Sequence, residues 1–355
     1  MLPMDLTSSG HASTADIFSS PQLGLGFDDT VLMPDASPAP KARKARAGSP
    51  SASSALPPES MAALLDSHPD YRVLRRLPVT RHFSHEPQGP VRRLLILDTE
   101  TTGLDHSRDR IMELALLRVD VCSVTGQPTG AVEVYNGLED PGMPIPPEIQ
   151  GITGINDEMV RGQRLDDTRV MAMLHSADLV VAHNAGFDRP FAEARLAAFS
   201  QLAWGCSFAD LDWKKEGCGS AKLTQLALDR GWFYDAHRAE MDCHALLAVL
   251  ADPLPVSGVT GLAHLLTASA RPTFRLQATA APFEAKDVLK ARGYRWDGQQ
   301  RVWHTRLSDE AGLEAECDWL KRTVYGNRAA TVQLERLDAG TRYSARAGSV
   351  QAKPL

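Results

Sequence analysis

Residues 93–104 read Arg93-Leu94-Leu95-Ile96-Leu97-Asp98-Thr99-Glu100-Thr101-Thr102-Gly103-Leu104. Four apolar residues in a row run straight into an acid. That is the pattern of a strand buried on both faces, with polar groups at its C-terminal end. In extended chain, residues i and i+2 share a face, so Asp98 and Glu100 can present two carboxylates to one point. Thr101-Thr102-Gly103-Leu104 then turns the chain away.

The neighbouring sequence repeats this logic. Ile111 to Val121 and Ala131 to Tyr135 are expected as two more strands, separated by a turn at Gly126-Gln127-Pro128. Leu165 to Ala177 has the spacing of an amphipathic helix. Asp178-Leu179-Val180-Val181-Ala182-His183 is a second buried strand, and a helix is expected over Phe187 to Phe199. Further helices are expected over Leu223 to Arg230 and Ala239 to Leu250. Strands followed by alternating helix and strand indicate an α/β domain with a mixed sheet.

The remaining segments differ in composition. Residues 1–60 are rich in Ser, Ala, Pro and Gly and are expected as a disordered tail. The basic cluster Lys41-Ala42-Arg43-Lys44-Ala45-Arg46 inside it reads as a solvated patch. A short lead-in helix is expected within 61–90, the main domain over 91–252, a linker over 253–271, a small α+β domain over 272–346 and a tail over 347–355. In Tyr294 to Leu307, Asp297-Gly298 between two aromatic runs reads as a β-hairpin. Its interleaved Arg and Trp suit either single-stranded nucleic acid or, more simply, a small core formed by Trp296 and Trp303.

Apolar residues make up 43% of the chain and charged residues 23%, enough for at least one sizeable core. No stretch has the length and apolarity of a membrane helix, and the N-terminus does not read as a secretory signal. The five cysteines are scattered without a Cys-x-x-Cys pair, which fits a reducing, cytoplasmic setting without a structural zinc site. The net charge of −6 is unevenly spread: residues 91–270 carry 15 Lys and Arg against 25 Asp and Glu, and residues 271–355 carry 15 against 10. An acidic part suited to cations sits beside a basic part suited to phosphate.

Hydrolysis of a phosphodiester places charge on the attacking and leaving oxygens, and hard divalent ions held by carboxylates stabilise it. Three segments can supply such acids. Asp98 and Glu100 end the first strand. Asp188 follows the second buried strand across His183-Asn184-Ala185-Gly186-Phe187. In His237-Arg238-Ala239-Glu240-Met241-Asp242, a loop histidine precedes a helical aspartate by five residues. Singly, each is an ordinary surface or helix-end acid; their conjunction points to metal-assisted hydrolysis.

These motifs resemble the DEDD-type 3′→5′ exonucleases with histidine in the third motif, a superfamily that includes the proofreading (epsilon) subunit of bacterial DNA polymerase III. The likeness covers Leu97 to Leu104, His183 to Asp188 and His237 to Ala245, with a proline-rich segment from Pro144 to Ile155 between the first two. Thr153 stands where many relatives carry His. The resemblance implies a ribonuclease H-like fold. It implies two Mg²⁺ or Mn²⁺ ions held by Asp98, Glu100, Asp188 and Asp242, with His237 acting on the attacking water. It also implies a substrate path along Thr101, Leu104, His183 and Asn184, where Leu104 wedges at the terminal base.

The expected activity is removal of nucleoside monophosphates from DNA 3′ ends, single-stranded or frayed, in proofreading or repair. An RNA-trimming relative would use the same five residues, because discrimination rests on the 2′-OH. A nuclease-dead scaffold would need no convergent acids. A fragment over 85–255 contains all five residues and is expected to act alone. Finally, Gln22-Leu23-Gly24-Leu25-Gly26-Phe27 resembles the short peptide by which bacterial replication and repair proteins dock on the sliding clamp, with Gln22, Leu23, Leu25 and Phe27 as contacts.

Overall fold

A computed structural model describes residues 56–346 and 348–355. The hexapeptide at 22–27 and the basic cluster at 41–46 lie outside the described residues. The first elements are α1 (Pro58–Asp66), which buries none of its residues, and two short strands, β1 (Arg75–Arg76) and β2 (His82–Phe83). The short lead-in helix expected within 61–90 begins at Pro58 and ends at Asp66; Pro69 and Pro78 each lack an amide and disfavour helix at the residue before them.

β3 (Val91–Thr101), β4 (Ile111–Cys122) and β5 (Pro128–Leu138) form an antiparallel meander. Three short helices follow: α2 (Pro147–Thr153), α3 (Asp157–Val160) and α4 (Asp167–His175). They lead to β6 (Leu179–Ala182), which joins β3 in parallel. After α5 (Ala185–Arg195), β7 (Trp204–Cys206) joins β6, also in parallel. The six-stranded order is β2-β5-β4-β3-β6-β7, a mixed sheet flanked by helices in the ribonuclease H-like arrangement. The helix expected to run to Phe199 ends at Arg195, because Leu196 is extended and a 3₁₀ turn takes over.

α6 (Leu223–Asp229), β8 (Trp232–Phe233), α7 (Ala239–Ala251) and α8 (Gly261–Ser269) complete this part. The last lies inside the expected linker. Thr260 caps it by accepting from the Ala263 amide, and its Leu262 and Leu265 are fully buried.

The period of two along β3 sorts the core. Leu94 and Ile96 pack on the α6, α7 and α8 side, and Leu95 and Leu97 on the α4 and α5 side. Continuing that alternation, Asp98 and Glu100 face the α7 side and Thr99 the α5 side. One strand thus addresses both helices that carry the remaining acids.

The C-terminal part consists of β9 (Thr273–Ala278), α9 (Lys286–Ala291), β10 (Arg295–Asp297), β11 (Val302–Leu307), α10 (Glu310–Trp319), β12 (Thr331–Leu337) and β13 (Val350–Pro354). Its antiparallel order is β10-β11-β9-β12-β13. The expected hairpin is present: Asp297 Oδ1 accepts from the amides of Gln299 and Gln300. Trp296 and Trp303 pair across it with ring centroids 5.5 Å apart, and Trp303 packs against the core of this sheet. The segment expected as a tail over 347–355 instead supplies β13, which covers the edge that β12 would otherwise leave open.

The connection between β12 and β13 ties the two sheets together. The Trp204 amide donates to the Ala339 carbonyl at 2.8 Å, so this strap extends the exposed edge of β7. Fully buried Arg189 on α5 donates to the carbonyls of Ala339, Gly340 and Arg342 and pairs with Glu193 at 2.7 Å. Buried Arg342 meets Asp210 at 3.3 Å, and the Tyr343 hydroxyl donates to the same aspartate. Tyr343 belongs to the core cluster of α4 and α5.

Candidate active site

Carboxylate oxygens of Asp98, Glu100 and Asp242 all lie within 4.8 Å of one another. β3 delivers the first two from one face, and the first turn of α7 delivers the third. Asp188, in the first turn of α5, is held on the other side of β3. Its Oδ1 accepts from the Thr99 amide at 3.2 Å and the Thr99 hydroxyl at 2.8 Å. Thr99 therefore splits the site: the residue between the two strand acids fixes the carboxylate of the neighbouring helix.

The electrostatics are those of crowded, partly buried acids. Burial, with Asp242 and Asp188 close by, holds Asp98 well above the usual carboxylate range. Burial and then Asp242 push Glu100 up to about 8. Burial raises Asp188 to about 7, against the Thr99 hydrogen bonds that favour its charged form. Burial raises Asp242 to about 6, opposed by the Tyr234 hydroxyl, which donates to it at 3.0 Å. Like charges so close cannot all ionise unless a cation joins them. The donor set is oxygen only, which suits a hard divalent ion.

The His237 segment is fixed by a contact that the sequence does not advertise. Glu113 on β4 is fully buried, directly opposite Glu100 in register. It accepts from Arg238 Nε at 3.1 Å and Nη2 at 3.0 Å, from the Ala239 amide at 3.2 Å and from Asn136 Nδ2 at 3.1 Å. This clamp sets the entry to α7, and the Arg238 amide in turn donates to Asp242 Oδ2 at 3.1 Å. His237 precedes it at φ 64° with its side chain exposed, close enough to Asp242 for a charge on the ring to favour that carboxylate. Asn184, at φ 71°, turns β6 into α5 in the same left-handed conformation. Glu113 and Tyr234 escaped the sequence reading because a mid-strand acid and a loop tyrosine carry no local signal; only the register of β4 on β3 gives them meaning.

The four residues expected on the substrate path are differently disposed. Leu104 is 42% exposed. The Thr101 hydroxyl donates to the Gly103 carbonyl at 2.6 Å. His183 Nδ1 and the Ser207 hydroxyl share a hydrogen bond at 2.7 Å, and burial lowers that histidine to about 4, so it stays neutral. Asn184 shapes the turn.

Residues 95–250 match the family model described as exonuclease, RNase_T. This segment is an exonuclease domain of the DEDD-type, DnaQ-like superfamily. Among curated relatives, the DNA polymerase III subunit epsilon of Treponema pallidum is 29% identical over 159 residues, covering 42% of this chain and 71% of that protein. The PolC-type DNA polymerase III of Thermotoga petrophila is 30% identical over 135 residues, which are 38% of this chain and 9% of the polymerase. The chain thus spans about a tenth of the PolC-type relatives it matches. Among solved structures, exonuclease X in complex with 5′ overhanging duplex DNA is 27% identical, covering 48% of this chain and 97% of that one, with a TM-score of 0.36. E. coli exonuclease I in complex with a dA16 oligonucleotide is 19% identical, covering 52% and 48%, with a TM-score of 0.36. Among the described residues, no helix is long and apolar enough to cross a membrane.

Proposed function

We propose that this protein removes nucleoside monophosphates from the 3′ end of DNA, in proofreading or repair. The observation that carries the reading is the convergence of Asp98, Glu100 and Asp242, with Asp188 fixed across Thr99, inside an exonuclease-family domain. In this reading Asp98, Glu100, Asp188 and Asp242 hold two Mg²⁺ or Mn²⁺ ions, which supply charge stabilisation for the attacking and leaving oxygens. His237, exposed and close to Asp242, takes the proton of the attacking water. Leu104 wedges at the terminal base. Thr101, His183 and Asn184 shape the wall of the path, since their polar groups or backbone are already committed to the fold.

The setting is proposed as cytoplasmic, consistent with five free cysteines. The hexapeptide Gln22 to Phe27 is proposed as a tether to a bacterial sliding clamp, where tethering raises the local concentration of a nuclease at a DNA end. Calorimetry with the 18–30 peptide and purified clamp tests it, and equal binding by a Leu25→Ala, Phe27→Ala peptide would remove the proposal.

The central test uses DNA and RNA oligonucleotides labelled at the 5′ end, incubated with the full chain and Mg²⁺. A ladder shortening from the 3′ end of DNA, abolished by chelator, is the expected result. Preferential shortening of RNA would move the protein to RNA trimming, and no shortening of either would overturn the reading.

A further inference from the structure

A cleft of about 270 Å³ has walls from both the exonuclease part and the C-terminal part. Leu104, His106, Phe187 and Phe191 line it from the exonuclease part, and Tyr343 and Arg306 from the C-terminal part. Two of its lining residues are close in the chain to the acids: Leu104 ends the turn that follows Glu100, and Phe187 immediately precedes Asp188. Its floor is aromatic. Phe187 and Phe191 have ring centroids 5.0 Å apart, and His106 sits edge-on to Phe191 at 6.2 Å.

Arg306 is exposed, lies 5.9 Å from the Tyr343 ring centroid and has no carboxylate partner among the described residues. By the alternation along β11 it shares a face with His304, and register places Arg295 of β10 directly opposite His304. Arg295 also lacks an acidic partner among the described residues. On the same face, Arg275 is paired with Asp297 at 3.1 Å and approaches Glu335. Among the described residues, two guanidiniums without an acidic partner therefore share this face of the sheet, Arg306 at the cleft and Arg295 one strand further out.

We infer that the C-terminal sheet completes the substrate groove. The last bases of a single strand stack in the aromatic cleft, and Arg306, followed by Arg295, holds the phosphates behind them. The inference rests on the proposed nuclease function and adds what that domain lacks: residues 91–270 carry a net excess of ten acids and would repel a polyanion on their own. Aromatic stacking with arginine contacts to the backbone is how single strands are bound without sequence preference. Held against Tyr343, whose ring is fixed by Asp210, the Arg306 guanidinium is preorganised for phosphate.

The test measures binding of the full chain to a fluorescent oligothymidylate without metal, by anisotropy over a range of salt. Arg306→Gln is expected to weaken binding roughly three- to tenfold and to reduce the salt slope by about one. Arg306→Lys, which keeps the charge but not the planar guanidinium, should keep the salt slope and recover only part of the affinity. With metal, Arg306→Gln should raise KM for the oligonucleotide by about the factor lost in binding, a larger change than any in kcat. Identical affinity and salt slope for wild type and Arg306→Gln would overturn the inference. A wild type that binds through Arg306 but shortens no strand would overturn the proposed function and leave the groove standing.

Discussion

At the junction of the two sheets, buried Arg189 meets Glu193 and three strap carbonyls, and buried Arg342 meets Asp210. At the end of β3, Asp98, Glu100 and Asp242 meet chiefly one another, and the Arg238 guanidinium faces Glu113 instead. Both places take charge out of water. The first matches each charge with a partner and so holds the fold together. The second leaves like charges facing, an arrangement that repels itself until a cation enters. Completeness of pairing separates the structural site from the chemical one.

The largest effects should come from breaking the unpaired set. Asp98→Asn or Asp188→Asn is expected to lower cleavage by roughly 10³-fold or more, with the fold intact, because these acids repel their neighbours when no metal is bound. Full activity in either variant would end the metal assignment. His237→Ala should slow turnover by about 10²–10⁴-fold and leave ion binding unchanged. A metal titration in which that variant loses an ion would make His237 a ligand.

Breaking the paired set should cost stability. Arg189→Ala strips three strap carbonyls of this donor and leaves Glu193, among the described residues, only Arg346 at 3.5 Å and the Ser344 hydroxyl at 2.6 Å; a loss of about 3 kcal/mol is expected, at the low end for a broken buried pair. The 85–255 fragment loses the strap and α8 together, so it is now expected to fold poorly despite holding all five active-site residues. Urea melts of both, against the full chain, are the measurement; a fragment as stable as the whole would show that the junction holds little.

What was legible in the sequence follows from range of interaction. β3 and β6 announced themselves because four apolar residues before a polar end have few other solutions. Asp98, Glu100, Asp188, His237 and Asp242 were legible as three spaced segments, and the structure brings carboxylate oxygens of Asp98, Glu100 and Asp242 within 4.8 Å of one another. α8 was missed because Pro253, Pro255 and Gly258 read as linker, although Thr260 is a good cap. β13 was missed because Val350 to Pro354 is a strand only by virtue of its pairing with β12. The strap was invisible for the same reason: a buried Arg189 next to Asp188 in sequence says nothing about carbonyls about 150 residues away.

Glu113 stands between the two kinds of site, fully paired yet one strand away from the unpaired acids. Glu113→Gln keeps its shape but turns one acceptor into a donor against the Arg238 guanidinium and the Ala239 amide. A fall in kcat of about 10–100-fold is expected, as for groups that orient ligands from behind, with KM little changed. Because the Glu113 charge helps raise Glu100, ion binding should also begin at lower pH. A variant with unaltered kcat and unaltered pH dependence would reduce Glu113 to a packing group.

The smallest effect is the most direct test of repulsion among the acids. In the folded, metal-free protein Glu100 titrates near 8, Asp188 near 7 and Asp242 near 6, all above their ordinary values near 4. Between about pH 4 and 8 the folded state therefore binds more protons than the unfolded chain, and by linkage its stability falls as pH rises through that window. Other groups titrate there too, so the informative quantity is a difference. The melting temperature of wild type minus that of Asp98→Asn, measured in chelator, should become more negative from pH 5 to 8, since the variant lacks the most strongly perturbed acid. Saturating Mg²⁺ should cancel or reverse the trend for wild type, because the ion binds the ionised carboxylates and its affinity grows as they lose protons. A difference that stays flat with pH in chelator would mean that the acids are relieved by water or by movement, and the contrast with the junction would lose its physical basis.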